Sequence, residues 1–185
     1  MALPRATLYR MRPFAREQWE RRDFQLMRRS PVQLFWNMGL LDDSVAWLRD
    51  EGYRLIEIDA GEWRSEADLH RTFQERFSFP SYYGRNLDAL DECMAGFAVH
   101  EFGPDAEATG TVLVLTHFDA FARLEPKSAH AVLDIFASAS RCALLIGHRM
   151  LCLVQTDDPR LAIEPVGGRP VPWNQREFLD RSRGL

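Results

Sequence analysis

Three observations in this 185-residue sequence predict an α/β fold, a small parallel β-sheet flanked by helices. Residues 111–118 (TVLVLTHF) form a near-continuous apolar run, as expected of a strand covered on both faces. Segments of β-rich composition or period-two alternation are interleaved along the chain with segments of helical spacing. At 46% apolar and 27% charged residues, the chain is long enough to bury a sizeable core without disulfides or metal.

Taken in order, Val32, Leu34 and Trp36 alternate with Gln33, Phe35 and Asn37, which predicts a short strand after Pro31. Asp42 or Asp43 is expected to cap a helix with Leu41, Val45 and Leu48 on its apolar face, closed by Gly52. Residues 53–59 (YRLIEID) complete a strand–helix–strand unit, which implies parallel pairing with a right-handed crossover. Ser65 followed by Asp68 resembles a capping box and opens a helix carrying Leu69, Phe73 and Phe77, ended by Pro80. Residues 81–84 (SYYG) form a loop, and Asn86 caps a second helix that runs to about Phe97. After the strand at 111–118, Asp119 starts a short helix that stops by Pro126. A longer helix follows through Val132, Leu133, Phe136 and Ala139 and is closed by Gly147. Residues 149–156 (RMLCLVQT) make the last strand, and beyond Asp158 a Pro- and Gly-rich strap ends in one short helix from Asn174.

The net charge of −4 is unevenly spread. Residues 51–110 carry 5 basic and 13 acidic side chains, whereas residues 1–29 carry 8 arginines against 3 acids. An acidic field of that size attracts cationic partners and repels nucleic acid, so direct nucleic-acid binding by the middle third is not expected. The arginine-rich start reads as a solvated arm or frayed helix rather than an RNA-binding tail, because basic composition alone is a weak signal.

Cys93, Cys142 and Cys152 cannot all pair, and none has a second cysteine at zinc-ligand spacing, so a reducing cytoplasm is the expected location. No stretch approaches the roughly eighteen apolar residues of a membrane span, and no secretory signal or transit peptide is expected. The chain lacks a Gly-x-Ser-x-Gly elbow, a phosphate loop and a His-Glu-x-x-His metal site. His70, His100, His117, His130 and His148 are scattered and read as packed or solvent-facing, and Cys93 as an inert apolar residue. Neither an enzyme nor a metal or other cofactor is therefore expected.

The informative segment is residues 79–97. On a helical wheel Leu87, Leu90, Cys93, Met94 and Phe97 lie opposite Asp88, Asp91 and Glu92, so one face is for the core and the other presents three carboxylates to water. Like charges three and four apart cost roughly 0.2–0.5 kcal/mol per pair, and the helix dipole offsets this best for Asp88 in the first turn. On spacing alone an ordinary solvated face outweighs a binding surface.

The motif shifts that balance. Asp68-Leu69-His70, Tyr82-Tyr83-Gly84, Asn86-Leu87-Asp88-Ala89-Leu90 and Cys93 together resemble the barstar family, intracellular inhibitors of microbial guanyl-specific ribonucleases of the barnase type. A looser similarity extends over residues 53–156. The resemblance implies a barstar-like core at 53–156, to which residues 31–52 add a strand and a helix. Residues 1–30 then form a basic arm and residues 157–185 a tail. It also implies that Tyr82, Tyr83, Gly84, Asn86, Leu87, Asp88, Asp91 and Glu92 bind a basic secreted or toxin ribonuclease, with no catalysis by this chain. In that scheme the acids take the place of RNA phosphates and Tyr82 packs in the enzyme's active-site mouth. Asp88 pairs with arginine or the catalytic histidine region, and Glu92 replaces the family's key aspartate. The chain departs from the pattern at Asp91, where the best-known member carries tryptophan, at Glu92, one methylene longer than aspartate, and at Ser138, where an acidic residue is usual. The alternative is a module of the same fold that binds another basic protein without inhibiting a ribonuclease. Neither reading implies an oligomeric state.

Overall fold

The strand expected at residues 111–118 spans Gly110–Thr116, with His117 turning the chain into a helix that starts at Phe118, and its run of apolar side chains is covered on both faces. The computed structural model describes residues 14–103 and 108–179. Its strands are β1 (Val32–Phe35), β2 (Arg54–Asp59), β3 (Gly110–Thr116) and β4 (Arg149–Gln155). They form one parallel sheet in the order β1-β4-β3-β2, with Leu34 beside Val154, Leu113 beside Cys152, and Leu55 beside Val112. The helices are α1 (Arg22–Met27), α2 (Met38–Asp50), α3 (Glu66–Phe77), α4 (Leu87–Ala98), α5 (Phe118–Leu124) and α6 (Pro126–Leu145). Among the described residues no helix is long and apolar enough to cross a membrane.

Alternate residues of β3 and β4 supply two separate cores. Leu113, Leu115, Cys152 and Val154 point to the face covered by α3 to α6, where they meet Leu69, Phe73, Leu90, Phe97, Leu133 and Phe136. Val112, Val114, Leu151 and Leu153 point the other way, onto Leu26 of α1 and Leu41, Val45 and Leu48 of α2. The segment before residue 53 therefore covers a face that α3 to α6 leave open.

Several sequence expectations are corrected here. β1 and β2 are parallel but do not pair, since they occupy opposite edges of the sheet. The two strands buried almost throughout, β3 and β4, take the centre, and β2, with Glu57 and Asp59 exposed, tolerates an edge. β1 is protected on its outer side by the tail: Leu34 donates to the Pro172 carbonyl and Asn174 donates to the Leu34 carbonyl. Helix α2 starts a turn earlier than expected. Its cap is Asn37, whose Oδ1 accepts the Leu40 N–H at 3.3 Å, while Asp42 and Asp43 lie exposed inside the helix. The buried Glu177 carboxylate accepts the N–H groups of Trp36 and Asn37 at 2.9 and 3.1 Å, so the tail completes that helix start. The capping box at Ser65 is not reciprocal: its hydroxyl donates to Asp68 Oδ2, which also accepts the Arg64 N–H. Helix α3 ends at Ser78, in the left-handed region at φ 56°, before Pro80 is reached.

Residues 14–30 are not a solvated arm; residues 1–13 lie outside the described residues. Asp23 is 0% exposed and accepts from Arg21 Nε and Nη2, from the Tyr53 hydroxyl at 2.7 Å and from Arg149 Nη1 at 3.2 Å. A buried carboxylate is tolerated only with such partners, and Tyr53 and Arg149 belong to the α/β core. The arm is thereby seated on the fold.

Candidate partner-binding surface

The surface is built from the chain between α3 and α4 and from the outer face of α4. Residues with positive φ bracket the loop, Ser78 at 56° and Arg85 at 50°. Arg85 Nε donates to Gln74 Oε1 at 3.0 Å, which ties the loop back to α3. Asn86 then caps α4 as its sequence predicts, its Oδ1 accepting the Ala89 N–H at 2.8 Å.

The two tyrosines of the loop face opposite ways. Tyr82 is 81% exposed, whereas Tyr83 is 5% exposed, packed edge-on against Phe79. Burial pushes the Tyr83 phenol well above its ordinary pKa, so it remains a donor. Its oxygen lies 2.5 Å from His70 Nδ1, and His70 Nε2 lies 3.3 Å from Glu66 Oε1. A carboxylate can only accept, so His70 Nε2 carries the proton and Nδ1 accepts from Tyr83. The second Glu66 oxygen accepts the Ser128 hydroxyl of α6 at 2.5 Å, and these bonds hold the Glu66 pKa below the usual carboxylate value. Tyr83 is thus an internal anchor, its ring turned into the core, which does not fit its expected place among the partner-binding residues. Sequence reasoning did not find Glu66 and Ser128 as supports of this loop, because their meeting is tertiary; for His70 the signal was its place beside Leu69 on the apolar side of α3.

On α4, Leu90, Cys93, Met94 and Phe97 are buried and Leu87 is half-buried against the same core. Gly84, Asn86, Asp88, Asp91 and Glu92 are exposed. The three carboxylates make no ion pair or side-chain hydrogen bond among the described residues, and the helix contains no basic residue. Arg85, the cation nearest in sequence, is held by Gln74 instead. Burial, and then the adjacent Glu92 charge, push the Cys93 thiol pKa up, which disfavours its thiolate. Ser138 on α6 is half-buried and its hydroxyl accepts from Arg141. No group of three metal-ligating side chains is found among the described residues. The arrangement is suited to holding a cation-rich surface, with an aromatic ring standing beside three carboxylates on a rigid support.

Residues 53–155 match the family model described as Barstar (barnase inhibitor). The chain belongs to the barstar family. The match begins at β2 and ends with β4, so it includes the tyrosine loop, α4 and the core face built by α3 to α6. A Bacillus subtilis (strain 168) protein named "Putative ribonuclease inhibitor YrdF" is 43% identical over 44 residues, which is 24% of this chain. The chain spans about half of that relative's length, 48%. Barstar-family membership thus covers β2, β3 and β4, while β1, α1, α2 and the tail strap lie outside the matched region.

Proposed function

We propose that this chain is a cytoplasmic inhibitor, an immunity protein in a bacterial cell, for a guanyl-specific ribonuclease of the barnase type. Inhibition is by occlusion. The α4 carboxylates Asp88, Asp91 and Glu92 occupy the sites where a basic enzyme holds RNA phosphates, Tyr82 packs in the mouth of the cleft, and Gly84, Asn86 and Leu87 shape the approach. No bond is made or broken by this chain.

The observation that carries the reading is the exposed, internally unpaired set of carboxylates beside the outward Tyr82, on a loop anchored by Tyr83, His70 and Glu66. Carboxylates already neutralised by the protein's own arginines would have no charge to offer. Desolvating unpaired ones is costly unless the partner supplies cations, which selects strongly for a basic surface. The relative named as a ribonuclease inhibitor supports the same class of partner.

The test is titration of a secreted barnase-type ribonuclease with the full chain, following RNA cleavage. Stoichiometric loss of cleavage is expected; undiminished cleavage at excess protein would refute the reading. A second reading, the same surface bound to a different basic protein, is favoured by Asp91, Glu92 and Ser138, which change the pattern of charge and aromatic contact the family usually presents.

A further inference from the structure

A second charged feature, opposite in sign to the α4 face, is assembled from three separate segments. A cleft of about 200 Å³ is lined by Arg28 and Arg29 after α1, Arg141 of α6 and Arg169 of the tail, and among the described residues no acidic one lines it. All four arginines are exposed. Arg141 bonds only neutral acceptors, the Gly167 carbonyl at 3.1 Å and the Ser138 hydroxyl at 3.4 Å. Arg28, Arg29 and Arg169 make no ion pair among the described residues. The serines of the lining are already committed: Ser30 accepts the Val32 N–H and Ser140 donates to the Met150 carbonyl. Asp134 of α6 accepts the N–H of Gly167, a lining residue, at 2.7 Å, and does not itself line the cleft.

The backbones that present these side chains are fixed. Arg169 sits on a bridge with Val166, paired through both backbone bonds, and Val166 is fully buried. Arg28 follows α1, whose Leu26 carbonyl is held by the Gln33 side chain at 2.8 Å. In a protein with a net charge of −4, four like charges bordering one concavity repel, and among the described residues no carboxylate in the lining offsets them. Arginine forks match the oxygens of phosphate in bidentate geometry.

We propose that this cleft binds a compact polyphosphate anion, a di- or triphosphate chain, at a site separate from the α4 face. Its volume is below the roughly 300–1,000 Å³ of pockets that enclose whole drug-sized ligands. The phosphates are therefore held, while any attached nucleoside remains outside and unread. This inference does not depend on ribonuclease inhibition.

The experiment is calorimetric titration of the full chain with sodium tripolyphosphate, guanosine triphosphate and cytidine triphosphate, at constant ionic strength set with chloride. Saturable one-site binding is expected, of similar affinity for all three ligands. The R28Q/R169Q variant, whose substitutions are exposed and whose folding is checked by its melting temperature, should bind about a hundredfold more weakly, since each of the two lost charge-assisted contacts is worth about a decade. The single variant R29Q provides an independent check should the double variant unfold. The D88A/E92A variant should bind the anions as the wild type does, which separates this site from the inhibitory surface. Lack of saturation at millimolar tripolyphosphate, undiminished binding by the arginine variants, or tighter binding of a single-stranded RNA oligonucleotide than of tripolyphosphate would each overturn the proposal.

Discussion

Replacing Asp23 by asparagine tests whether the N-terminal segment is part of the fold, because it keeps the side-chain volume and removes only the charge. In the native protein the Asp23 carboxylate is wholly buried and is shared by Arg21, Arg149 and Tyr53. Their exposures show which partner feels the loss of charge most. The Arg21 side chain is 30% exposed and keeps Glu51 at 2.7 Å, so it retains both water and a counter-ion. The Arg149 side chain is only 8% exposed, so it has little water to replace the lost charge, although Gln18 Oε1 still accepts from it at 3.4 Å and the Phe14 ring still lies under its guanidinium. Removing one partner of a buried pair costs about 3–5 kcal/mol, and the Tyr53 hydroxyl can still donate to the asparagine oxygen, so the low end, about 3 kcal/mol, is expected. With 2–4 °C per kcal/mol for a chain of this size, melting should fall by roughly 6–12 °C, and the urea midpoint should fall in parallel with an unchanged slope. Adding Arg149→Met to Asp23→Asn should recover part of the loss, because an apolar side chain leaves no charge behind. A loss below about 1 kcal/mol would refute the seating of residues 14–30 on the core.

The two adjacent tyrosines should separate stability from binding. Tyr83→Phe leaves buried His70 without its donor and should cost about 1–3 kcal/mol in urea unfolding, whereas Tyr82→Ala should stay within about 0.5 kcal/mol yet weaken the ribonuclease complex. Asp88→Ala and Glu92→Ala should each weaken that complex by at least ~2 kcal/mol, measured by surface kinetics, with melting temperatures unmoved. If both variants bind as the wild type does, the acidic face is not the contact surface. Raising the salt concentration should slow association more than it speeds release. His148, bonded to Thr111 and edge-on to His100, has its pKa pushed from 6.5 down to about 4 by burial and then by the His100 charge. Between those pH values the unfolded chain takes up a proton that the folded chain refuses, so stability falls as pH drops from 6.5 to 4, by about 3 kcal/mol. Urea melts of His148→Gln should show a flatter profile over that window; an identical profile would place the proton uptake elsewhere.

The features legible in the sequence are those set by neighbours along the chain. The Asn86 cap, the division of α4 into an apolar and an acidic side, and the burial of β3 on two faces follow from backbone geometry that repeats every 3.6 or two residues. The motif around Tyr82-Tyr83-Gly84 and Asn86 also carried the family, because a run of identities needs no tertiary knowledge. Tertiary structure decided what depends on partners remote in sequence. The Asn37 cap on α2 is a local bond to Leu40, but the N–H groups of Trp36 and Asn37 are satisfied by Glu177, 141 and 140 residues away, a partner that no local rule supplies. Period-two alternation shows which residues share a face, but not which strand lies beside which, and β1 and β2 went to opposite edges. Tyr82 and Tyr83 are chemically identical, and the one drawn inward is the one that meets His70 of α3 and the Phe79 ring. Arg28, Arg29, Arg141 and Arg169 are four unremarkable surface cations until folding brings three segments around one cleft. Local spacing sets the direction of a side chain relative to its own element; the environment it meets there is set by chain closure over long distances.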